Sequence, residues 1–166
     1  MNLKNILKPL TALVLFLLTS GFLVGFSNGN SVVIDAGHGG EDNGAVSGDY
    51  LEKEWNLDTS RACANELVKY GVYVYETRTD DTYVSLEDRA SLANMNNVDY
   101  FISIHHNSSD GGNGDRGEVI YSIRDEKSKQ LASNIEQELK NIGQTNVKTY
   151  TRTNGYGTDY YSVLRN

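Results

Sequence analysis

The sequence predicts an α/β fold: a single domain built on a twisted, mainly parallel sheet flanked by helices. Three observations lead there. Short apolar runs rich in β-branched residues break at glycines, stretches with helical spacing follow them, and the two kinds of segment alternate along the chain. Strands separated by helices of this length return to the same end of a sheet and so pair in parallel. With 166 residues and 39% hydrophobic content the chain can bury one sizeable core.

The first strand is read in "SVVIDAGHGG", where Val32 to Ala36 are apolar in four positions of five before the glycine break. From Glu52 to Tyr70 the spacing turns helical. Leu57, Ala64, Leu67 and Val68 fall at i, i+7, i+10 and i+11, and Gly71 is the stop. "VYVYET", residues 72–77, alternates as a strand, with Val72 and Val74 on one face and Tyr73 and Tyr75 on the other. "SLEDRASLANMNN" opens with a capping box, Ser85 to Asp88, and carries Leu86, Ala90, Ala93 and Met95 as a mostly apolar stripe. Tyr100 to Ile104 is a third strand and "GEVIYSI", 117–123, a fourth. Residues 125–142 are helical, with Leu131, Ile135, Leu139 and Ile142 in register.

The first 27 residues read differently. Lys4 and Lys8 precede an apolar run from Leu10 to Phe26, and the polar stretch Ser27 to Asn30 ends it. This is the pattern of an export segment, either a cleaved signal peptide or a retained N-terminal membrane anchor, with 28–31 as linker and 32–166 as the domain. Without residues 1–30 the balance is 13 basic against 22 acidic residues, about nine net negative charges. Nucleic acid and anionic lipid surfaces are therefore poor partners, and membrane contact is expected only through the N-terminal segment. The lone Cys63 excludes an internal disulfide.

Ligands of open parallel sheets gather beyond the carboxyl ends of the strands. All three histidines of the chain lie in the loops after the first and third strands: His38 in one, His105 and His106 in the other. Glu52 stands at the mouth of the first helix, close to the end of the first strand, where the helix dipole also favours an acid. Two imidazoles and a carboxylate without cysteine are the ligand set of a catalytic zinc, which keeps a fourth place open for water. Such a zinc acidifies water and polarises a carbonyl, the two needs of amide hydrolysis. The spacing is not compact, so plainer roles stand beside this one: His38 capping a turn, His105 satisfied by backbone, Glu52 serving the dipole alone. Asp35 is a candidate to orient a ligand imidazole, or else to hold the loop. Gly37, Gly39 and Gly40 permit a tight backbone path. Arg78 and Arg89 suit structural pairing with acids such as Asp80. The stretch 149–161, rich in tyrosine and amides, suits either a sugar–peptide groove or an ordinary polar loop.

"VVIDAGHGGEDNGA", "LEKEWNL", "ETRTDD", "LEDRASLAN" and "FISIHHNSS" resemble, in order and spacing, the zinc-dependent N-acetylmuramoyl-L-alanine amidases that cut bacterial peptidoglycan. The resemblance runs from about Val32 to Asn166, through "GEVIYS" and "SVLRN". It implies that zinc is held by His38, Glu52 and His105, with His106 where the family tolerates a small residue. His106 and Asn107 then become candidate substrate contacts, against a solvated loop histidine for His106. The implied activity is hydrolysis of the amide between N-acetylmuramic acid and L-alanine, at the wall of an exporting cell. The resemblance also implies a further strand carrying a second catalytic glutamate and a closing helix, for which the sequence up to Asn166 offers no match. The expectation is that the sequence is a fragment or truncated gene product and the domain 32–166 incomplete, or else that a nearby acid such as Glu118 or Asp159 substitutes. Two other readings accompany the amidase one: a module that grips zinc and peptidoglycan without turnover, and a zinc peptidase acting on stem peptides.

Overall fold

A computed structural model of the chain describes residues 29–107, 116–124, 126–144 and 146–166. The expected export segment, 1–27, and the first residue of the expected linker lie outside these. The described residues fall into two compact units, one within 27–114 and one within 115–166.

In the first unit β1 (Ser31–Ala36) is the middle strand of a three-stranded parallel sheet, between β4 (Tyr73–Glu76) and β5 (Tyr100–Ile104). Its register pairs Val32 with both Val74 and Tyr100, and Ile34 with both Glu76 and Ile102. Val32, Val33, Ile34 and Ala36 are fully buried, as a central parallel strand covered on both faces requires. A small antiparallel hairpin, β2 (Val46–Ser47) and β3 (Tyr50–Leu51), follows and runs straight into α1 (Glu52–Lys69). The sequence reading did not include this hairpin, whose strands are only two residues long.

α1 packs on β1 and β4 through Ala64 and Leu67, and α2 (Leu86–Asn96) packs on β1. Val72 is buried while Tyr73 and Tyr75 are exposed, so the expected alternation of that strand holds. Ser85 caps α2 by accepting from the Asp88 N–H at 3.1 Å, and Asn97 ends the helix in the left-handed conformation. The expected apolar stripe of α2 is narrower than predicted. Ala90 is buried but Leu86 and Met95 are exposed, because Arg89 shares the inward face with Ala90.

In the second unit β6 (Gly117–Ile120) and β7 (Val147–Tyr150) pair in parallel, with α3 (Glu126–Asn141) against both. β6 is shorter than the predicted 117–123, since Ser122 and Ile123 turn to meet Asp159. β7 takes the first residues of the 149–161 stretch. Beyond it, Asn154 closes its own turn by accepting from the N–H groups of Tyr156 and Thr158, and the Arg152 guanidinium lies 3.9 Å over the Tyr160 ring. A one-turn helix, α4 (Ser162–Arg165), ends the chain as given. Among the described residues no helix is long and apolar enough to cross a membrane.

Candidate metal centre

β1 and β5 are adjacent and parallel, so the loops leaving their carboxyl ends emerge side by side. The ladder extends one step past the strands, Gly37 N–H donating to the Ile104 carbonyl at 3.1 Å. That step brings residue 38 beside residue 105. Glu52 opens α1 and is turned into the same space, its main-chain N–H bonded to the Ala45 carbonyl at 2.9 Å.

His38, Glu52 and His105 thus offer ligand atoms that all lie within 4.8 Å of one another. His38 Nε2 is 3.4 Å from Glu52 Oε2, and His105 Nδ1 is 3.0 Å from Glu52 Oε1. The two imidazoles meet edge to face, with centroids 4.8 Å apart. Glu52 is buried and its carboxylate is aimed from both sides: the Ala45 N–H donates to Oε2 at 2.8 Å, and the His106 N–H to Oε1 at 3.1 Å. Burial pushes its pKa up. The His105 and Ala45 hydrogen bonds and the nearby imidazoles outweigh that and hold it at about 2, so the carboxylate is ionised at neutral pH.

The space around these atoms is kept open by glycine. A Cβ on Gly37 would come within 2.3 Å of His105 Cε1 and Nε2. One on Gly44, whose φ is +64°, would stand 2.5 Å from His38 Cδ2 and 2.8 Å from Glu52 Oε2. Two imidazoles and an ionised carboxylate converging on a space that side chains are kept out of fit a divalent metal of the nitrogen-favouring kind.

His38 itself adopts φ 62°, a left-handed conformation uncommon outside glycine, and its loop is held from behind. Arg78 donates to the carbonyls of Ala36, Gly37 and Lys53, and Arg89 to those of Ala36 and His38. Asn56, fully buried on α1, donates to the Gly37 carbonyl at 3.0 Å. The two arginines are thus structural. Arg78 meets the carbonyl of Asp80, not its carboxylate, and the acid paired with Arg89 is Asp35 at 2.5 Å.

Asp35 does not orient an imidazole. It accepts from Thr77, Ser103 and Arg89 under the sheet end and holds the loop. The residue that meets His38 is Asp42, whose Oδ2 lies 2.8 Å from Nδ1 and leaves Nε2 facing Glu52. That hydrogen bond holds the Asp42 carboxyl below its ordinary pKa. Sequence reasoning missed Asp42, although its place four residues after His38 in a glycine-rich loop was a usable signal.

His106 is neither a solvated loop residue nor free to reach outward. Its Nδ1 meets Asn56 Oδ1 at 2.9 Å and its Nε2 meets Thr59 Oγ1 at 3.3 Å, so α1 takes both ring nitrogens. Burial pulls its pKa down, favouring the neutral ring. Asn107 is exposed beside it. In the second unit Asp159 is buried, accepting from the Ser122 hydroxyl at 2.7 Å and the Ile123 N–H at 3.1 Å, while Glu118 pairs with Arg116 at 2.6 Å. Both acids already have structural partners there.

A parallel α/β sheet with a two-imidazole, one-carboxylate cluster at its strand ends defines a class of protein able to hold a metal ion there. Within it, residues 32–166 match the N-acetylmuramoyl-L-alanine amidase family, and the chain belongs to that family. It is 38% identical over 135 residues to the uncharacterized protein YqiI of Bacillus subtilis, covering 80% of this chain and 65% of that one. It is 34% identical over 140 residues to the N-acetylmuramoyl-L-alanine amidase LytC of the same organism, covering 82% of this chain and 27% of LytC. Among solved structures, Cwp6 from Clostridium difficile superposes with a TM-score of 0.71 at 40% identity, over 83% of this chain and 23% of that one. The chain thus spans less than two thirds of each of these relatives.

Proposed function

We propose that the chain is the catalytic part of a zinc-dependent N-acetylmuramoyl-L-alanine amidase, hydrolysing the amide between the lactyl group of N-acetylmuramic acid and L-alanine in peptidoglycan. The observation that carries this reading is the convergence of His38, Glu52 and His105 within 4.8 Å, with Glu52 ionised and the space between them kept open by Gly37 and Gly44. These three residues would hold the zinc. When bound, the zinc would supply Lewis-acid polarisation of the scissile carbonyl and acidification of water.

The chain's own residues prepare that chemistry. Asp42 accepts from His38 Nδ1–H and so selects the tautomer that leaves Nε2 as ligand. The Ala45 and His106 N–H groups fix both oxygens of Glu52 before any metal arrives. Arg78, Arg89 and Asn56 hold the strained His38 loop, so little reorganisation remains for binding. Peptidoglycan as partner and action at the wall after export by residues 1–27 belong to the same reading. The family membership and the acidic charge support it, the latter disfavouring nucleic acid.

The test separates ligands from neighbours. His105→Ala should abolish zinc retention after dialysis, while His106→Ala should retain most of it. Equal metal loss in both variants would overturn the ligand assignment. Purified walls incubated with the zinc-loaded protein should release new amino-terminal L-alanine. Binding to walls without release would instead assign the chain as a binding module. Fragments that keep alanine on the muramic acid would assign a peptidase.

A further inference from the structure

Beside the metal centre, on the same unit, lies an aromatic corner that the chemistry above does not use. Trp55 stands one turn along α1 from Glu52, with the Tyr50 ring of β3 edge to face at 5.7 Å and the His106 ring centroid at 6.0 Å. Tyr50 is 47% exposed and Trp55 is half-buried, so the corner is open to solvent. His106 is a fixed wall because both its nitrogens are held by α1. Its neighbour along the chain is the metal-cluster residue His105, and its N–H bonds Glu52, so the corner and the metal cluster are continuous.

We propose that Tyr50 and Trp55 form a glycan subsite, receiving the apolar face of a neutral pyranose ring of the wall polysaccharide next to the scissile amide. This deepens the amidase reading and rests on it. Charge decides between the two sides of the substrate. The corner is flanked by acids: Asp58, at i+3 from Trp55 on the same helix face, and Asp49, beside Tyr50 in the hairpin, are both exposed. These carboxylates repel an acidic stem peptide but accept hydrogen bonds from sugar hydroxyls. An aromatic ring meanwhile offers a flat apolar surface at low entropic cost.

Trp55 is the chain's single tryptophan, so its emission reports this subsite alone. The zinc-loaded protein is titrated with a chitotetraose, a neutral N-acetylglucosamine tetramer, and separately with a stem peptide carrying L-alanine and D-glutamate. The tetrasaccharide should change Trp55 emission saturably, with affinity falling about tenfold in Tyr50→Ala. Zinc affinity of Tyr50→Ala should stay at the wild-type value. For Trp55→Ala the same loss is read by calorimetry, with circular dichroism as the folding control. Unchanged emission with the tetrasaccharide, a response to the stem peptide alone, or wild-type glycan affinity in Tyr50→Ala would each overturn the subsite. Glycan binding by a chain that retains no zinc would sink the metal reading and leave the subsite standing.

Discussion

Gly37→Ala tests the metal centre most directly, because it attacks the geometry without removing a ligand. The added Cβ would lie 2.3 Å from His105 Cε1 and Nε2, and an ordinary contact begins at 3.4 Å, so something must give by roughly 1.1 Å. The backbone cannot yield easily. Its carbonyl at 37 is held by Arg78 and Asn56 and its N–H by the Ile104 carbonyl. The imidazole must move instead, and with its side chain 39% exposed it can swing toward solvent. Metal sites tolerate displacements of about 0.2 Å, so a retreat five times larger takes His105 out of the ligand set. Zinc affinity should fall at least ~100-fold. The backbone at residue 37 is not left-handed, so alanine is compatible there, and metal-free stability should fall by no more than the His105–Glu52 hydrogen bond is worth, about 1.5–3 kcal/mol. Competitive zinc titration against a chromophoric chelator measures the first quantity, and urea unfolding in chelator measures the second. Wild-type zinc affinity in Gly37→Ala would refute the placement of His105. A larger stability loss would refute the claim that the ring yields rather than the fold.

Three further outcomes follow from the same contacts. Asp42→Asn keeps the shape but loses the carboxylate that sets the His38 tautomer, so zinc affinity should drop about 10- to 100-fold, with unfolding midpoints nearly unchanged; an unaltered titration would release Asp42 from this role. In metal-free protein, Glu52 is depressed to about 2 from 4.5, so the stability contributed by its ionised form is complete above about pH 4.5 and disappears as pH falls through 2. Acid unfolding should therefore show up to about 3 kcal/mol lost across that window, and a Glu52→Gln profile as steep as wild type would contradict it. Arg89→Ala leaves the buried Asp35 carboxylate without its cation and the His38 carbonyl without its donor, while Arg78 still holds the Ala36 carbonyl; this should cost about 3–5 kcal/mol in urea unfolding, and a loss below 1 kcal/mol would show that the pair carries little weight.

Much of the architecture was legible because local chemistry and tertiary structure agree. The run at 32–36 is apolar in four positions of five, with Asp35 the one polar exception, so it reads as a strand covered on both sides, and it is the fully buried middle strand. Ser85 had one use for its hydroxyl at that spacing, and it caps α2. Where the chain was misread, a partner distant in sequence decided. Leu86 and Met95 lie outside because the inward face of α2 is shared with Arg89, whose guanidinium is drawn to Asp35, 54 residues earlier.

The cluster itself divides the same way. Residue types and strand ends alone nominated His38, Glu52 and His105, since parallel strands must deliver their loops to one edge. Which acid meets which imidazole, and where His106 turns, depends on angles that a one-dimensional pattern does not contain. Asp35 points under the sheet because strand alternation and three donors capture it, so Asp42 reaches His38 when the chain doubles back through a left-handed φ. His106 faces α1 because Asn56 and Thr59 stand one turn apart at the right height. Composition and periodicity decide which segments bury apolar surface; the direction of a hydrogen bond is decided only once those segments are packed.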